Sequence, residues 1–210
     1  MCSLRRMMIV LAVMGMVGCG LGSGEALTPL PYQDDFSDPA SGWETADDLS
    51  AEVRYADGAL RILVKQASTT QWTVSGKRFK DGIIEVEARR LGGPMDNGFG
   101  VIFRVQDRKN FYFFNISSDG YWRAGMVKDG EWQEWTTWQL HPAIHTDEAP
   151  NALRVTMEGK RFAFYVNEQL VGTREDETFA VGDAGLMAAA LFDAPGVDIA
   201  FDNFRVLPLR

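Results

Sequence analysis

Glu85 and Glu87 are the side chains with the plainest chemical potential. They lie two apart in Ile83-Ile84-Glu85-Val86-Glu87-Ala88-Arg89. An extended backbone would put both on one face, roughly 6.5–7 Å apart along the strand. Glycoside hydrolysis uses two carboxyls across one cleft, about 5 Å apart for retention and more for inversion. The pair is therefore a candidate acid and base, although the same spacing suits solvated strand residues ion-paired with Arg104 or Arg123. His141 and His145 are the only histidines, and a spacing of four would put both on one helix face as metal ligands. Pro142 between them and the lack of any helical period argue against that. No Ser/His/Asp nucleophile set, zinc signature or glycine-rich phosphate loop is present.

Binding chemistry is better represented. Trp122, Trp132, Trp135 and Trp138 cluster in one short stretch. Sugar rings stack on exposed aromatic faces through their C–H groups, and polar side chains fix their orientation. Trp122 alternates with Arg123 and is expected in the core. Trp132 and Trp138, flanked by Gln133, Glu134, Thr136 and Thr137, are expected to be partly exposed at a cleft rim.

These residues need a scaffold, and its period is two. From Asp34 onward the 3.6-residue repeat of helices is almost absent. Turn dipeptides recur instead: Asp57-Gly58, Asp81-Gly82, Asn97-Gly98, Asp119-Gly120, Asp129-Gly130 and Glu158-Gly159. Between them the pattern predicts strands over 60–64, 83–89, 99–105, 111–117, 121–127, 153–157, 162–166, 185–192 and 197–206. About ten to twelve antiparallel strands in two stacked sheets form the natural all-β solution. Alternation sends Val101, Phe103, Val105, Tyr112, Phe114 and Ile116 inward. It turns Glu85, Glu87, Arg89, Arg104, Phe113, Asn115, Tyr121 and Arg123 outward. If their four strands are neighbours, these residues form one hydrogen-bonding surface with aromatic platforms. A one-residue shift would invert any strand.

The chain begins with an export pattern. Arg5 and Arg6 precede an apolar run from Met7 to Val17, then Gly18 and Cys19. The segment resembles a bacterial lipobox, with Met16 and Val17 in place of the usual leucine and small residue. That resemblance implies cleavage after residue 18, acylation of Cys19 and membrane attachment. The apolar run is too short to span a bilayer, which takes roughly 20 residues. Residues 19–33 read as the lipidated end and a Gly/Ser/Pro tether, and 34–210 as one domain. Removal of Cys2 with the leader would leave Cys19 alone, without an intramolecular disulfide. The formal charge is −8 and falls to −10 once Arg5 and Arg6 leave. So acidic a surface repels phosphate backbones and argues against nucleic acid as a partner. Gly20 is not the aspartate associated with inner-membrane retention, which favours an outer membrane where there is one.

Several stretches resemble the concanavalin A-like lectin/glucanase superfamily, nearest to 3-keto-disaccharide hydrolase domains and laminin-G-like modules. They are Asp34-Asp35-Phe36-Ser37-Asp38-Pro39 with Gly42-Trp43, Asp96-Asn97-Gly98-Phe99-Gly100 through Arg104, Asn110-Phe111-Tyr112-Phe113-Phe114, Ser118-Asp119-Gly120-Tyr121, Tyr165-Val166-Asn167 and Phe201-Asp202-Asn203-Phe204. The resemblance implies a jelly-roll sandwich of two antiparallel sheets, a ligand on the concave sheet, and sugar as the first ligand class. Glucanases of that fold share a Glu-x-Asp-x-x-Glu strand, and Glu85-Val86-Glu87-Ala88-Arg89-Arg90 lacks its third acid. Family habit makes calcium a possible cofactor, with Asp35 and Asp202 as its candidate ligands; turn and cap chemistry is the other use of such aspartates. The leading expectation is a lipid-anchored, non-catalytic carbohydrate-binding module using Arg104, Asn115, Tyr121, Arg123, Trp132 and Trp138. The alternatives are a keto-disaccharide or glycoside hydrolase acting through Glu85 or Glu87, and a protein–protein module of the envelope.

Overall fold

Turn residues that accept positive φ divide the chain into strands, and a computed structural model describes residues 26–192 and 194–209. The strands are β1 (Tyr32–Asp34), β2 (Ala46–Asp47), β3 (Ala51–Ala56), β4 (Ala59–Val64), β5 (Thr69–Phe79), β6 (Gly82–Gly92), β7 (Asn97–Asp107) and β8 (Asn110–Ile116). They continue as β9 (Tyr121–Lys128), β10 (Glu131–Leu140), β11 (Asn151–Glu158), β12 (Arg161–Val166), β13 (Gln169–Glu175), β14 (Gly182–Ala190) and β15 (Val197–Leu207). Asp57 and Gly58 both have positive φ between β3 and β4, as do Asp129 and Gly130 between β9 and β10. Two such residues in sequence suit the tight hairpins that match strand twist.

All registered pairs are antiparallel, and they build two sheets. The nine-stranded sheet runs β13-β12-β11-β6-β15-β4-β3-β2, with β1 on the edge of β15 beyond β4. The six-stranded sheet runs β10-β9-β8-β7-β14-β5. Between them lies one core, in which Phe103, Tyr112, Phe114, Phe162 and Phe164 are essentially inaccessible and in mutual ring contact. This is the sandwich of two antiparallel sheets expected from the period of two, and the jelly roll that the resemblance implied.

Two expectations change. The segment read as the end of a tether is already part of the sandwich. Tyr32 pairs with Val206, and Thr28 N–H donates to the Arg78 carbonyl at 2.8 Å. The four strands expected to share a surface do not: β6 lies in the nine-stranded sheet, whereas β7, β8 and β9 are in the other. Glu85, Glu87 and Arg89 therefore stand on the opposite side of the molecule from Asn115 and Arg123.

Candidate functional site

The outward face of the six-stranded sheet carries a second apolar layer. Ile102 on β7, Phe111 and Phe113 on β8, and Met187 on β14 point away from the main core yet are fully buried. Side chains lying across the sheet cover them. Trp72 from β5 contacts the Phe111 ring at 5.5 Å, and the Arg108 guanidinium stacks on Trp72 at 4.5 Å. From the other edge, Trp132 contacts Phe113 at 5.1 Å and meets Phe111 edge-on at 6.1 Å. Trp132 remains 42% exposed, which leaves ring surface for a ligand.

Arg123 organises this edge. Its guanidinium lies 4.6 Å from the Trp138 ring centroid, 5.3 Å from Phe113 and 5.6 Å from Trp132. Its Nη1 donates to Glu134 Oε1 at 2.6 Å. Such stacking orients the planar cation and excludes water from the rings beneath it. Tyr121, two residues back on the same face, is 37% exposed. Trp138 is half-buried, and its ring tip lies close to Gly98 on β7. On a flat sheet β10 and β7 would stand roughly 14 Å apart, beyond the reach of an indole. The sheet therefore curls around this face, which is concave.

Two irregularities in β10 arrange the tryptophans. Glu134 pairs with Gly125 and Thr136 with Ala124, so Trp135 is an extra residue; Thr137 and Trp138 together oppose Arg123. Bulges of this kind re-aim side chains. Trp135 turns inward, stacking on Phe162 and touching Tyr112, while Trp132 and Trp138 stay on the concave face.

Of the expected binding residues, Asn115, Tyr121, Arg123, Trp132 and Trp138 come together here. Arg104 does not. A bulge beside Phe103 gives Arg104 a φ of 48° and swings its side chain into the interior, leaving it 2% exposed. There it donates to the carbonyls of Phe179 (2.9 Å), Gly159 (2.7 Å) and Lys80 (3.1 Å), and its cation covers the Phe162 ring. The same shift sends Val105 outward into the second layer. Glu85, on the far sheet, is held by Arg154 at 2.6 Å and Arg205 at 2.9 Å, and Glu87 is exposed beside it. The Asp35 carboxylate accepts from Ser37, and that of Asp202 from the Asn203 N–H. Among the described residues no group of three or more His, Cys, Asp or Glu side chains converges as a metal cage. His141 and His145 make local contacts to Ala143 and Pro150. Cys19 lies outside the described residues.

Two acids at this end of the face were given no chemical role in the sequence: Asp119 was read as a turn residue, and both lie in stretches that resemble the superfamily. Asp96 precedes β7 and Asp119 follows β8, at the end where Trp138 reaches Gly98. Partial burial, and then the nearby charge of Asp119, hold the Asp96 carboxyl above its ordinary range. The signal available in the sequence was the placement of both acids beside strands that form this face.

A curled antiparallel sheet bearing a tryptophan–arginine layer, backed by a second sheet, defines a concanavalin-like or galectin-like sandwich. The chain belongs to the family described as the 3-keto-alpha-glucoside-1,2-lyase-like domain, which matches residues 34–206. Among solved structures, carbohydrate-binding module CBM66 from Bacillus subtilis is similar, with TM-score 0.63 and 20% identity over 78% of this chain and 94% of its own. A protein described as a native glycosidic hydrolase is similar with TM-score 0.65 and 12% identity, over 88% and 99% of the two chains. A GlcNAcα1-4Gal releasing endo-β-galactosidase from Clostridium perfringens is similar with TM-score 0.58 and 12% identity, over 83% and 61%. At these identities the likeness is one of fold. No curated protein matches the chain.

Proposed function

We propose that the concave face binds carbohydrate and that a lipid on Cys19 holds the domain at the cell envelope, at the outer membrane where there is one. The carrying observation is Trp132: an exposed ring, braced by Phe111 and Phe113 and flanked by Arg123, offers stacking and hydrogen bonding at one place. Tyr121 extends the platform. The family description supports an α-glucoside as the first ligand class. Calorimetry with trehalose and sucrose, followed by a glycan array, tests the reading. Trp132→Ala and Arg123→Ala should each weaken binding by at least about 10-fold, the equivalent of 1.4 kcal/mol. Failure to bind any glycan, or unchanged affinity in both variants, overturns it. Palmitate labelling that persists in Cys19→Ser would overturn the anchor.

One observation favours an enzymatic second reading. Asp96 and Asp119 stand at one end of the face, and Asp96, raised from its ordinary range by partial burial and by the Asp119 charge, is a candidate acid with Asp119 as its base. It fits cleavage of a 3-keto-α-glucoside better than Glu85 and Glu87, which face away. Turnover of that substrate class surviving Asp96→Asn/Asp119→Asn would exclude it.

A further inference from the structure

The concave face has one polar side chain with nothing to bond. Asn115 is fully buried, and neither its Oδ1 nor its Nδ2 has a hydrogen-bond partner. An amide offers two donors and an acceptor, and burial without partners is costly, so such groups are rare and call for a cause.

Trp138 lies across the strand that bears Asn115. The indole ring stacks against Arg123 on β9 at 4.6 Å, and a Cβ built on Gly98 of β7 would stand 3.6 Å from its tip. β8 lies between those two strands, so the ring passes over β8. The outward residues at that level are Asn115, which pairs with Arg123 and Gly100, and Ser117. The Ser117 hydroxyl is engaged by Asp119 and by the Tyr121 N–H, which leaves Asn115 as the unengaged group beneath the ring. Beside it Gly98, Gly100 and Ala189 fill little space, and Met187, opposite Gly100, bounds the far side. The ring thus lies over a well that has a polar base. Its strand is an edge strand, and Thr137 and Trp138 share one partner in the ladder. The Arg123 Nε beside it also lacks a partner.

We infer that Trp138 is the closed lid of a subsite floored by Asn115, and that it swings off the amide to admit a ligand. The nature of that ligand rests on the carbohydrate reading above: sugar hydroxyls would satisfy both the donor and the acceptor of the amide. With the ring displaced, the indole becomes a wall against which a sugar stacks.

Thiol accessibility tests the lid without a known ligand. In the full chain with Cys2 and Cys19 replaced by serine, Asn115→Cys and Val155→Cys are each treated with iodoacetamide. Val155 lies in the main core at 0% exposure and reports global unfolding. Local opening costs less than global unfolding, so the thiol at 115 should react at least about 10-fold faster than the one at 155. Adding Trp138→Ala should accelerate labelling at 115 and leave 155 unchanged. Equal rates at the two sites, or labelling at 115 insensitive to Trp138→Ala, would overturn the lid. Calorimetry with trehalose and sucrose on the protein that keeps Asn115 supplies the second arm. Binding that Asn115→Ala weakens at least about 10-fold supports both readings, and binding that Asn115→Ala leaves unchanged overturns the subsite. No binding of either sugar, with the lid behaviour intact, supports the lid and counts against an α-glucoside ligand.

Discussion

At the scale of single residues, Arg104 shows how local backbone decides chemistry. Its guanidinium has three carbonyl acceptors and lies 3.3 Å from Asp81, all in a nearly dry setting. Arg104→Met removes the donors and strands those acceptors. Breaking such a buried set costs about 3–5 kcal/mol. Urea denaturation should register a loss of that size, and one below about 1 kcal/mol, the range of exposed pairs, would refute the structural role. Asp183 behaves differently. Burial raises its carboxyl above the ordinary 3.8, although bonds from Ser75, Lys77 and Ala184 oppose the shift. A carboxyl with a raised folded-state pKa binds its proton more tightly in the folded chain. Stability from this group is therefore greatest below the ordinary carboxylate range and declines as pH rises through 3.8 towards the shifted value. Asp183→Asn keeps an Oδ1 acceptor without the charge. It should raise the melting temperature near neutral pH, with the advantage vanishing in acid. A gain independent of pH would rule out the linkage.

At the scale of elements, the edge strand β10 sets the site. Its pairing with β9 depends on Gly125, where a Cβ would meet the Gln133 carbonyl at 2.4 Å and the Phe113 ring at 2.6 Å. Gly125→Ala must push β10 outward or displace Phe113. A loss of about 1–3 kcal/mol is expected, as for overpacking, together with weakened near-UV signals from Trp132. Unchanged melting and near-UV spectra would show that the edge is looser than its contacts indicate. The same element marks the limit of pattern reading. Strands with one face in the core, such as β6 and β11, alternate cleanly and were legible. β5, β10 and β13 lie at sheet edges, where polar residues such as Thr70, Gln133 and Gln169 interrupt the alternation. Those strands went unread, and so did the bulges that turn Trp135 inward and keep Trp138 on the concave face. The face assignments of Asn115, Tyr121 and Arg123 held because β8 and β9 are regular.

At the scale of the whole molecule, the two sheets are separate chemical surfaces joined by one core. Glu85 and Glu87 lie across the sandwich from Trp132, so a Glu85→Gln/Glu87→Gln variant should bind any concave-face ligand with unchanged affinity by calorimetry. Its stability should fall by no more than about 1 kcal/mol, because Arg154 and Arg205 are substantially exposed. Altered affinity would connect the two faces. Alternation gave the fold class, since turn dipeptides and a period of two leave few solutions. Strand order was not legible, because pairing between β6 and β15 is a contact between distant segments. That pairing has a consequence in time. Among the described residues β15 is the last of the fifteen strands, yet it lies at the middle of the nine-stranded sheet and bonds β6 along one edge and β4 and β1 along the other. Until β15 is made, the nine-stranded sheet has no centre on which to close. Long-range closure of this kind is slow. A nine-stranded sheet that stays open until β15 arrives suits the passage through a translocation channel that a lipid-anchored fate would demand.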